Sequence, residues 1–540
     1  MLLCGVALLL LPALLTNLGL LAFFDDEGIR ALVALEMKLS GNHITPTLFG
    51  EHYYNKPPLY NWILLAFFEL TGHFDEFTAR SATVFFLLIY AGTVYFFSKP
   101  AFAKTPNSQS FLPALALITC GRILFWDSML ALIDICFSWV MYLLFMVIYR
   151  EGERGRHGRM FVFAYGLAAI GFMLKGLPSV VFAGIALLTW LLWQRKGRQL
   201  FTWGHAAGIG IFTLIAGGYY AMYAQTNGLE EVLHTLFQES AKRTFIKHGF
   251  GQTALHLLTF PFEMWYHFLP WTLLAVYFLR KNAWVLIRRN KFITWNLLVF
   301  FTTVIPYWSS VEVYPRYLLM HVPLVFSAFF YLHFQNQEED SKIGRVVETG
   351  FFVLCLLTTA ASLLPHFWVA VQYLPQLHLK AASLTVALAG LSWLYWRWQA
   401  QRMLVFVLVL LVVRMGFNWF QIPNRQQLDC ATGARTTAIE AAKLTNGKPL
   451  YILEYSLGLQ PITAFYFTRE TGQILRPRYE NFDTSAYYII NPDAYPKSGY
   501  REIARFGIKW ECSELVLGKI NENLVRAIEN RKKKEAKGKQ

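Results

Sequence analysis

Acidic and basic residues frame the first polar stretch of this sequence, residues 24–62. An acidic triplet, Asp25, Asp26 and Glu27, directly follows an N-terminal apolar run, and Lys56 stands just before a pair of prolines, where the chain becomes apolar again. A carboxylate can take a proton from a hydroxyl nucleophile, and an ammonium group can bind a phosphate. The pattern predicts a site for an anionic lipid head group at a membrane surface.

Each of these features has an ordinary structural alternative. The acids could end a membrane span and stabilise the first turn of a surface helix, since carboxylates favour the helix dipole there. Lys56 could be a lysine that extends toward the membrane surface beside the aromatic residues Tyr53 and Tyr54. The prolines hold the backbone before them extended, so the Lys56 ammonium projects from a stiff segment.

A second set of ionisable residues lies inside or beside apolar runs. Asp127 and Asp134 occur in GRILFWDSMLALIDICF, and Lys175 occurs in FMLKGLP. Burial of such groups needs a reason. They could form a structural ion-pair group with Arg122, or they could be a second acid and a second cation of the same cavity.

Two further segments carry residues suited to a phosphate. Arg243 lies in a polar loop over residues 225–261, and a guanidinium can bind two phosphate oxygens at once. Its polar neighbours in that loop are more typical of a solvated helix face. The segment SSVEVYPRYLLMHVP places Tyr314, Arg316 and Tyr317 at the mouth of another apolar run.

The composition identifies a membrane protein. Of its 540 residues, 55% are hydrophobic, 17% are aromatic and only 15% are charged, which differs from soluble globular proteins. The net charge of +15 comes from short basic clusters between apolar runs, the pattern of cytoplasmic loops, so we predict no nucleic-acid binding. The N-terminal run lacks a basic region and a cleavage site, which predicts an uncleaved first span.

Counting runs of roughly 20 apolar residues predicts about thirteen transmembrane helices. Their approximate positions are 3–23, 78–98, 111–126, 130–149, 160–175, 177–194, 205–224, 262–280, 292–308, 316–334, 349–367, 380–397 and 402–420. The loops after even-numbered spans hold most of the basic residues, which predicts that they are cytoplasmic. The opposite, outer face then collects loops 25–77 and 225–261, the Asp127 and Lys175 regions and everything after about residue 421.

The spacing of apolar and polar residues in the first loop predicts an amphipathic surface helix from about Asp26 to Leu39. The spacing in loop 225–261 predicts a second one. The transmembrane domain is expected over residues 1–420. The more polar residues 421–540 predict a small extramembrane α/β domain with a basic tail, whose strand-like runs are 450–454, 464–467, 486–490 and 515–517. Cys430 and Cys512 in this part could form a disulfide in an oxidising compartment or remain two unpaired thiols.

The order of these motifs resembles a known family. The segments DEGIR, SGNHITPTLFGEHYYNKPPLYNW, an Asp-bearing span, LKGLP, a Glu-x-x-x-Arg loop and YPRY are similar to the polyprenyl-phosphate-dependent glycosyltransferases of the GT-C fold. Within them, the chain resembles the protein mannosyltransferase and aminoarabinose transferase superfamily over roughly residues 1–420.

The resemblance implies a role for individual residues. Asp26 would activate the acceptor, Lys56 would bind the lipid phosphate, and Asp127 would be the acid at the start of a later span. Lys175 and Arg243 match further cationic or cavity positions. The aminoarabinose transferases carry a glutamate directly before the first-loop lysine, whereas this chain has Asn55, so transfer of aminoarabinose to lipid A does not follow from the resemblance.

Together these observations predict a multi-pass glycosyltransferase of the bacterial inner membrane with its active site facing the periplasm. It would transfer a sugar from a polyprenyl-phosphate carrier to a lipid, glycan or protein acceptor. The predicted catalytic residues are Asp26, Glu27 and Asp127, and the predicted substrate-binding residues are Tyr53, Tyr54, Lys56, Lys175, Arg243, Tyr314, Arg316 and Tyr317. No cofactor or metal site is predicted. The alternative is a lipid-linked sugar flippase or transporter, which would show internal repeats with broken helices.

Overall fold

The computed structural model describes residues 2–103, 109–241, 249–337, 342–454, 458–508 and 512–537. They are mainly α-helical with a small sheet near the C-terminus, which confirms the predicted fold class. The described residues form two compact units. The first lies within residues 1–18, 54–60 and 80–421, and the second lies within residues 19–53, 61–79 and 422–540.

The helices up to residue 223 are mostly apolar. They are α1 (Leu2–Leu15), α2 (Glu27–Ser40), α3 (Leu59–Thr71), α4 (Glu76–Ser98), α5 (Leu112–Thr119), α6 (Gly121–Phe125), α7 (Ile133–Glu153), α8 (His157–Lys175), α9 (Pro178–Trp193), α10 (Trp203–Phe212) and α11 (Gly218–Tyr223). A π-helical turn at Thr213–Gly217 joins α10 to α11.

Thirteen helices follow. They are α12 (Glu230–Ala241), α13 (Gly249–His267), α14 (Ala283–Arg289), α15 (Lys291–Thr303), α16 (Ile305–Trp308), α17 (Val322–Gln337), α18 (Lys342–Ala361), α19 (Leu377–Arg397), α20 (Arg402–Gly416), α21 (Ile422–Leu428), α22 (Cys430–Lys443), α23 (Pro461–Thr471) and α24 (Glu522–Lys537). A second π-helical turn, Phe417–Gln421, joins α20 to α21.

Seven helical segments among the described residues are long and apolar enough to cross a membrane, and the number is eight if one bent pair forms a single span. The bent pair is Gln109–Thr119 with Gly121–Met129, which meet at 49°. Three shorter apolar helices are α1, α3 and α9. The chain is therefore a multi-pass membrane protein, while the predicted number of about thirteen spans stays a prediction.

Several predicted spans consist of two shorter elements. The predicted span 262–280 contains the end of α13, Pro270 and a 3₁₀-helix, Trp271–Leu279. The predicted span 292–308 contains α15 and the short α16, with Pro306 in the first turn of α16. Proline lacks the N–H that an α-helix needs in its interior, so each of these elements ends or restarts beside a proline.

The second unit combines the first loop with the C-terminal part of the chain. Helix α2 spans Glu27–Ser40, which confirms the predicted helix, but the prediction that it lies at the surface is wrong, because every position from Glu27 to Met37 except Ile29 is buried. A short hairpin follows, formed by β1 (Thr47–Leu48) and β2 (Glu51–His52). Helix α3 was not predicted, because its apolar residues lie in a run shorter than a full membrane span. The second unit's last segment starts at residue 422, beside the predicted domain boundary at 421.

A five-stranded mixed sheet forms the core of the C-terminal part, in the order β4-β3-β5-β7-β6. The strands are β3 (Leu450–Leu453), β4 (Arg476–Arg478), β5 (Tyr487–Ile490), β6 (Tyr500–Gly507) and β7 (Glu514–Ile520). Strands β4, β3 and β5 are parallel, and β7 pairs antiparallel with β5 and β6. The predicted strand at 464–467 is wrong, since these residues lie inside α23, where every position from Ile462 to Thr468 is buried. A short apolar run buried on all sides has no periodicity that separates a strand from a helix.

Cys430 and Cys512 form a disulfide, which decides between the two alternatives for these cysteines. Cys430 is the first residue of α22, and Cys512 lies just before β7. The bond therefore ties a helix of the second unit to its sheet.

Candidate active site

The three acids at the start of the first loop have different environments. Asp25 is exposed, with a left-handed backbone at φ 56°. Asp26 is the N-cap residue of α2 and is half-buried, and among the described residues its carboxylate has no hydrogen-bond or ion-pair partner. Glu27 is buried, and its Oε2 accepts a hydrogen bond of 2.8 Å from the Phe24 N–H. Asp26 thus remains partly accessible, while Glu27 holds the chain at the start of α2.

A buried hydrogen bond links α2 to the segment that leads to Lys56. Arg30 Nη2 donates to the Tyr53 hydroxyl at 2.9 Å, and its guanidinium also lies 5.4 Å from the centre of the Tyr53 ring. Both residues are buried. The predicted substrate-binding residue Tyr53 therefore also has a structural role in the second unit.

Glu36 fixes the hairpin after α2, a role that the sequence analysis did not identify. Its buried carboxylate accepts hydrogen bonds from Thr47 Oγ1 at 2.7 Å, from Phe49 N at 2.8 Å and from Gly50 N at 3.1 Å. Burial raises the pKa of Glu36, and the three hydrogen bonds oppose that rise. The Glu36 carboxylate therefore ties β1 and the turn of the hairpin to α2.

Tyr54 and Lys56 lie in the first unit, just before α3. Both are half-buried, and the prolines that follow Lys56 are buried. Burial raises the pKa of Tyr54, and a hydrogen bond with Glu231 of α12 raises it further. The described part of loop 225–261 thus contacts the segment that carries Lys56.

A buried ion cluster lies among α7, α8 and the YPRY segment of the first unit. Lys175 Nζ at the end of α8 donates to Asp134 Oδ1 at 2.5 Å, and Arg316 Nε lies 3.6 Å from Asp134 Oδ2. The Lys175 ammonium also lies 3.9 Å from the centre of the Tyr317 ring. One carboxylate therefore serves two cations, and a tyrosine face covers one of them.

A second ion pair lies nearby. Arg122 Nε and Nη2 donate to the two oxygens of Asp127 at 3.0 and 3.1 Å, a bidentate geometry. Asp127 also interacts electrostatically with Asp134 and Arg316. The sequence allows a structural group of Arg122, the two aspartates and Lys175; the structure forms these two pairs and adds Arg316 to them.

The cluster brings cations and carboxylates together. Arg122, Lys175 and Arg316 face the carboxylates of Asp127 and Asp134. Tyr314, which is more than half exposed, lies beside the Arg316 guanidinium, whose carbon is 4.8 Å from the ring centre. Buried cations next to an exposed tyrosine are suited to an incoming anion.

The structure brings together some of the predicted residues but not all. In the first unit it joins Lys175, Arg316 and Tyr317 through Asp134, and it pairs Asp127 with Arg122. Arg243 lies outside the described residues. The contact of Asp134 with Arg316 could not be found from spacing, because 182 positions separate the two residues; a charged residue inside an apolar run was the only signal.

An apolar cavity of about 290 Å³ lies in the first unit beside the YPRY segment. Its lining is aromatic and aliphatic, with Thr272 and His321 among the few polar members. The lining residues are Phe260, Pro261, Met264, Trp265, Phe268, Thr272, Phe300, Phe301, Val304, Trp308, Leu318, His321, Val322, Val325, Phe326 and Phe329. Within the described ranges, no group of three or more His, Cys, Asp or Glu side chains could hold a metal ion.

Sequence comparisons identify relatives of this chain. Residues 55–219 match the family described as dolichyl-phosphate-mannose-protein mannosyltransferase. The undecaprenyl phosphate-alpha-4-amino-4-deoxy-L-arabinose arabinosyl transferase of Erwinia tasmaniensis is 24% identical over 196 residues, which cover 36% of this chain and 35% of that protein. The transferase of the same name from Shewanella sediminis is 22% identical over 360 residues, which cover 65% of this chain and 63% of that protein. The alignments thus span less than two thirds of these relatives.

Solved structures with the same fold cover nearly the whole chain. The crystal structure of ArnT from Cupriavidus metallidurans bound to undecaprenyl phosphate gives a TM-score of 0.70 at 18% identity and covers 96% of this chain and 98% of that chain. The apo structure of the same protein gives 0.68 at 19% identity, with 96% and 97% covered. The comparisons confirm the predicted resemblance: the chain has the fold of ArnT and resembles the polyprenyl-phosphate-dependent glycosyltransferases of the GT-C fold.

Proposed function

We propose that this chain is a glycosyltransferase that moves a sugar from a polyprenyl-phosphate carrier to a lipid, glycan or protein acceptor on the outer face of the bacterial inner membrane. The observation that carries the proposal is the buried cluster around Asp134, where the cations Lys175 and Arg316 meet at one carboxylate. The names of the relatives support the class of donor, since they are undecaprenyl-phosphate sugar transferases.

The donor phosphate would bind to cations. Lys175 and Arg316 belong to the buried cluster, and Lys56 and Arg243 are proposed as further phosphate ligands. As the bond between the anomeric carbon and the phosphate oxygen breaks, negative charge grows on the departing polyprenyl phosphate, and fixed cations stabilise this charge. Tyr54, Tyr314 and Tyr317 are proposed to contact the donor, while Tyr53 contributes through its hydrogen bond with Arg30.

The apolar cavity of the first unit is proposed to hold part of the polyprenyl chain. Its wall is almost entirely hydrocarbon, and it includes Leu318, which directly follows the Tyr317 that covers Lys175. A lipid phosphate bound at the cluster would thus have an apolar space beside its first isoprene units. Burial of these units would be favoured by the hydrophobic effect.

Asp26 is proposed as the general base. It would take the proton of the acceptor hydroxyl while the acceptor oxygen forms its bond to the anomeric carbon, and the polyprenyl phosphate would leave with the electron pair of the broken bond. A single displacement of this kind inverts the anomeric configuration. Glu27 is proposed to keep the start of α2 in place, and Asp127 is proposed to hold Arg122 in the cluster.

The proposal names the carrier of the sugar, a polyprenyl phosphate, and does not name the sugar itself. Asn55 stands where the aminoarabinose transferases carry a glutamate, so the donor of those relatives is not transferred to this chain. The acceptor is likewise assigned only by its hydroxyl nucleophile.

The proposed location can be tested with the disulfide and with a topology probe. Disulfides persist in oxidising compartments, so Cys430 and Cys512 should resist a thiol reagent in intact cells until a reductant is added. A cysteine introduced by Gly155→Cys, in the turn between α7 and α8, should be labelled only by a reagent that crosses the membrane. Labelling of Gly155→Cys by an impermeant reagent would contradict the outer-face assignment of the active site.

The activity itself is tested with the purified chain in proteoliposomes that contain a radiolabelled polyprenyl-phosphate sugar and a mixture of envelope acceptors. The proposal expects loss of label from the donor and its appearance in an acceptor, with Lys56→Ala strongly reduced. Lys38→Ala, which removes an exposed lysine of α2, is the matched control. Movement of intact donor across the bilayer without transfer would support the flippase alternative instead.

A further inference from the structure

A polar pocket of about 610 Å³ lies at the opposite end of the helices from Lys175. It is formed by the turn between α7 and α8 and by the loop between α9 and α10. Arg156, His157, Arg159, Gln199 and Thr202 contribute side chains to its wall. Because α7, α8 and the joined helix α10–α11 are long enough to cross a membrane, this pocket lies where those helices leave the hydrocarbon region.

Two arginines of this pocket are exposed. Neither Arg156 nor Arg159 forms an ion pair with any residue that the structure describes. The nearby acids are already paired, since Glu151 lies 3.6 Å from Arg154 and Glu153 lies 2.9 Å from Lys291. The two arginines are thus available to an external anion.

Two aromatic residues, Phe201 and Trp203, are the sequence neighbours of the lining residue Thr202. Phe201 is 92% exposed and Trp203 is 91% exposed. Large aromatic residues concentrate at membrane–water interfaces, where one side of the ring meets lipid and the other meets head groups. Their exposure beside a basic pocket indicates that this surface contacts lipid, not bulk water alone.

Two glycines bring the walls of the pocket close together. A Cβ atom on Gly204 would lie 2.7 Å from the Cα of Gly158. The absence of side chains at these positions allows the α8 and α10 ends to approach, so the turn that carries the arginines lies next to the segment that carries the aromatic residues.

We propose that this pocket is a binding site for the phosphate of an anionic phospholipid in the cytoplasmic leaflet. Arg156 and Arg159 would bind the phosphate oxygens, and Phe201 and Trp203 would contact the glycerol and upper acyl region. The site is separate from the proposed donor site and does not depend on the transfer reaction. Anionic lipids attract each lysine or arginine near the membrane surface by an amount that corresponds to about five-fold in affinity.

The experiment is a native mass spectrometry titration of the detergent-solubilised full chain with phosphatidylglycerol and, separately, with phosphatidylcholine. We expect tighter binding of phosphatidylglycerol, and a loss of about twenty-five-fold in that affinity for the double variant Arg156→Ala with Arg159→Ala. The variant Arg156→Lys with Arg159→Lys should retain most of the affinity. Since these side chains are exposed, the variants should remain folded, which the retention of the unfolding temperature would verify.

The control is Arg288→Ala with Arg289→Ala, a pair of exposed arginines at the end of α14. It removes the same charge outside the pocket and should lower the phosphatidylglycerol affinity clearly less than the pocket double variant does. Equal losses in the two double variants, or equal binding of the two lipids by wild type, would overturn the proposal. Displacement of the lipid by inorganic phosphate at similar concentration would identify a general anion site and would also overturn it.

Discussion

Lys175 Nζ at the end of α8 lies 2.5 Å from Asp134 Oδ1 in the first turn of α7, and both side chains are buried. Arg316 shares the other oxygen of Asp134. This arrangement is asymmetric. Loss of the Asp134 carboxylate would remove a counter-charge from both Lys175 and Arg316, whereas loss of Lys175 would leave Asp134 paired with Arg316.

The asymmetry predicts different costs for the two substitutions. Asp134→Asn should lower the free energy of unfolding by about 3–5 kcal/mol, the cost of leaving buried charge uncompensated. Lys175→Met should cost clearly less, and the double variant should be more stable than Asp134→Asn alone. Thermal unfolding in detergent measures these differences, with the exposed Asp25→Asn as control. Equal costs for the two single variants would show that Arg316 does not compensate Asp134.

The close contact between α2 and α23 predicts that a single methyl group added at Gly28 lowers stability. A Cβ on Gly28 would lie 2.5 Å from Ile462 Cγ1 and 2.8 Å from the Ile462 nitrogen, so the backbone would have to move. Gly28→Ala should therefore cost about 1–3 kcal/mol by overpacking and should raise hydrogen exchange in both helices. Gly92→Ala in α4, where a Cβ meets no atom within 4 Å, should leave exchange unchanged or slower. Unaltered exchange in Gly28→Ala would contradict this packing.

The environment of Glu454 predicts that the stability of the C-terminal part depends on pH. Burial acts to raise its pKa, but hydrogen bonds from Tyr495 at 2.7 Å and from Arg531, together with Lys532 at 3.4 Å, outweigh burial and lower the pKa below its usual value of 4.5. The folded state thus favours the ionised form. Its contribution to stability is present above pH 4.5 and is lost as the pH falls through the lower, folded-state pKa.

Hydrogen exchange of β3 and α24 in the full chain measures this contribution. Glu454→Gln should speed exchange in these elements at neutral pH, and its difference from wild type should shrink as the medium becomes acidic. Glu480→Gln, a change at an exposed glutamate, should show no such difference. A Glu454→Gln effect that grows toward acid pH would contradict the sign of the pKa shift.

The parts of the fold that the sequence predicted are those with strong local signals. Capping acids and mixed polarity predicted α2, and the change in composition after residue 421 predicted the C-terminal α/β part with β3, β5 and β7. Charged residues inside apolar runs pointed to Asp134 and Lys175, because burial of a charge needs a partner.

The remaining features depend on contacts between distant residues. Nothing in the local sequence indicated that Arg316 would join Asp134, that Glu36 would hold the β1–β2 hairpin, or that residues 464–467 would be helical. Helix α3 was missed because its apolar run is shorter than a full span. The residues around Arg243 lie outside the described structure, so its predicted role stays a prediction.

The central claim is that Asp26 activates the acceptor, and it is tested most directly by single-turnover transfer at saturating polyprenyl-phosphate sugar. Asp26→Asn is compared with Asp25→Asn. The second variant removes the same charge from the neighbouring residue, which is exposed. We expect Asp26→Asn to slow transfer about 10²–10⁴-fold, the usual contribution of a general base, with unchanged donor binding, and Asp25→Asn to remain near the wild-type rate. Full turnover by Asp26→Asn, or an equal loss in both variants, would contradict the account.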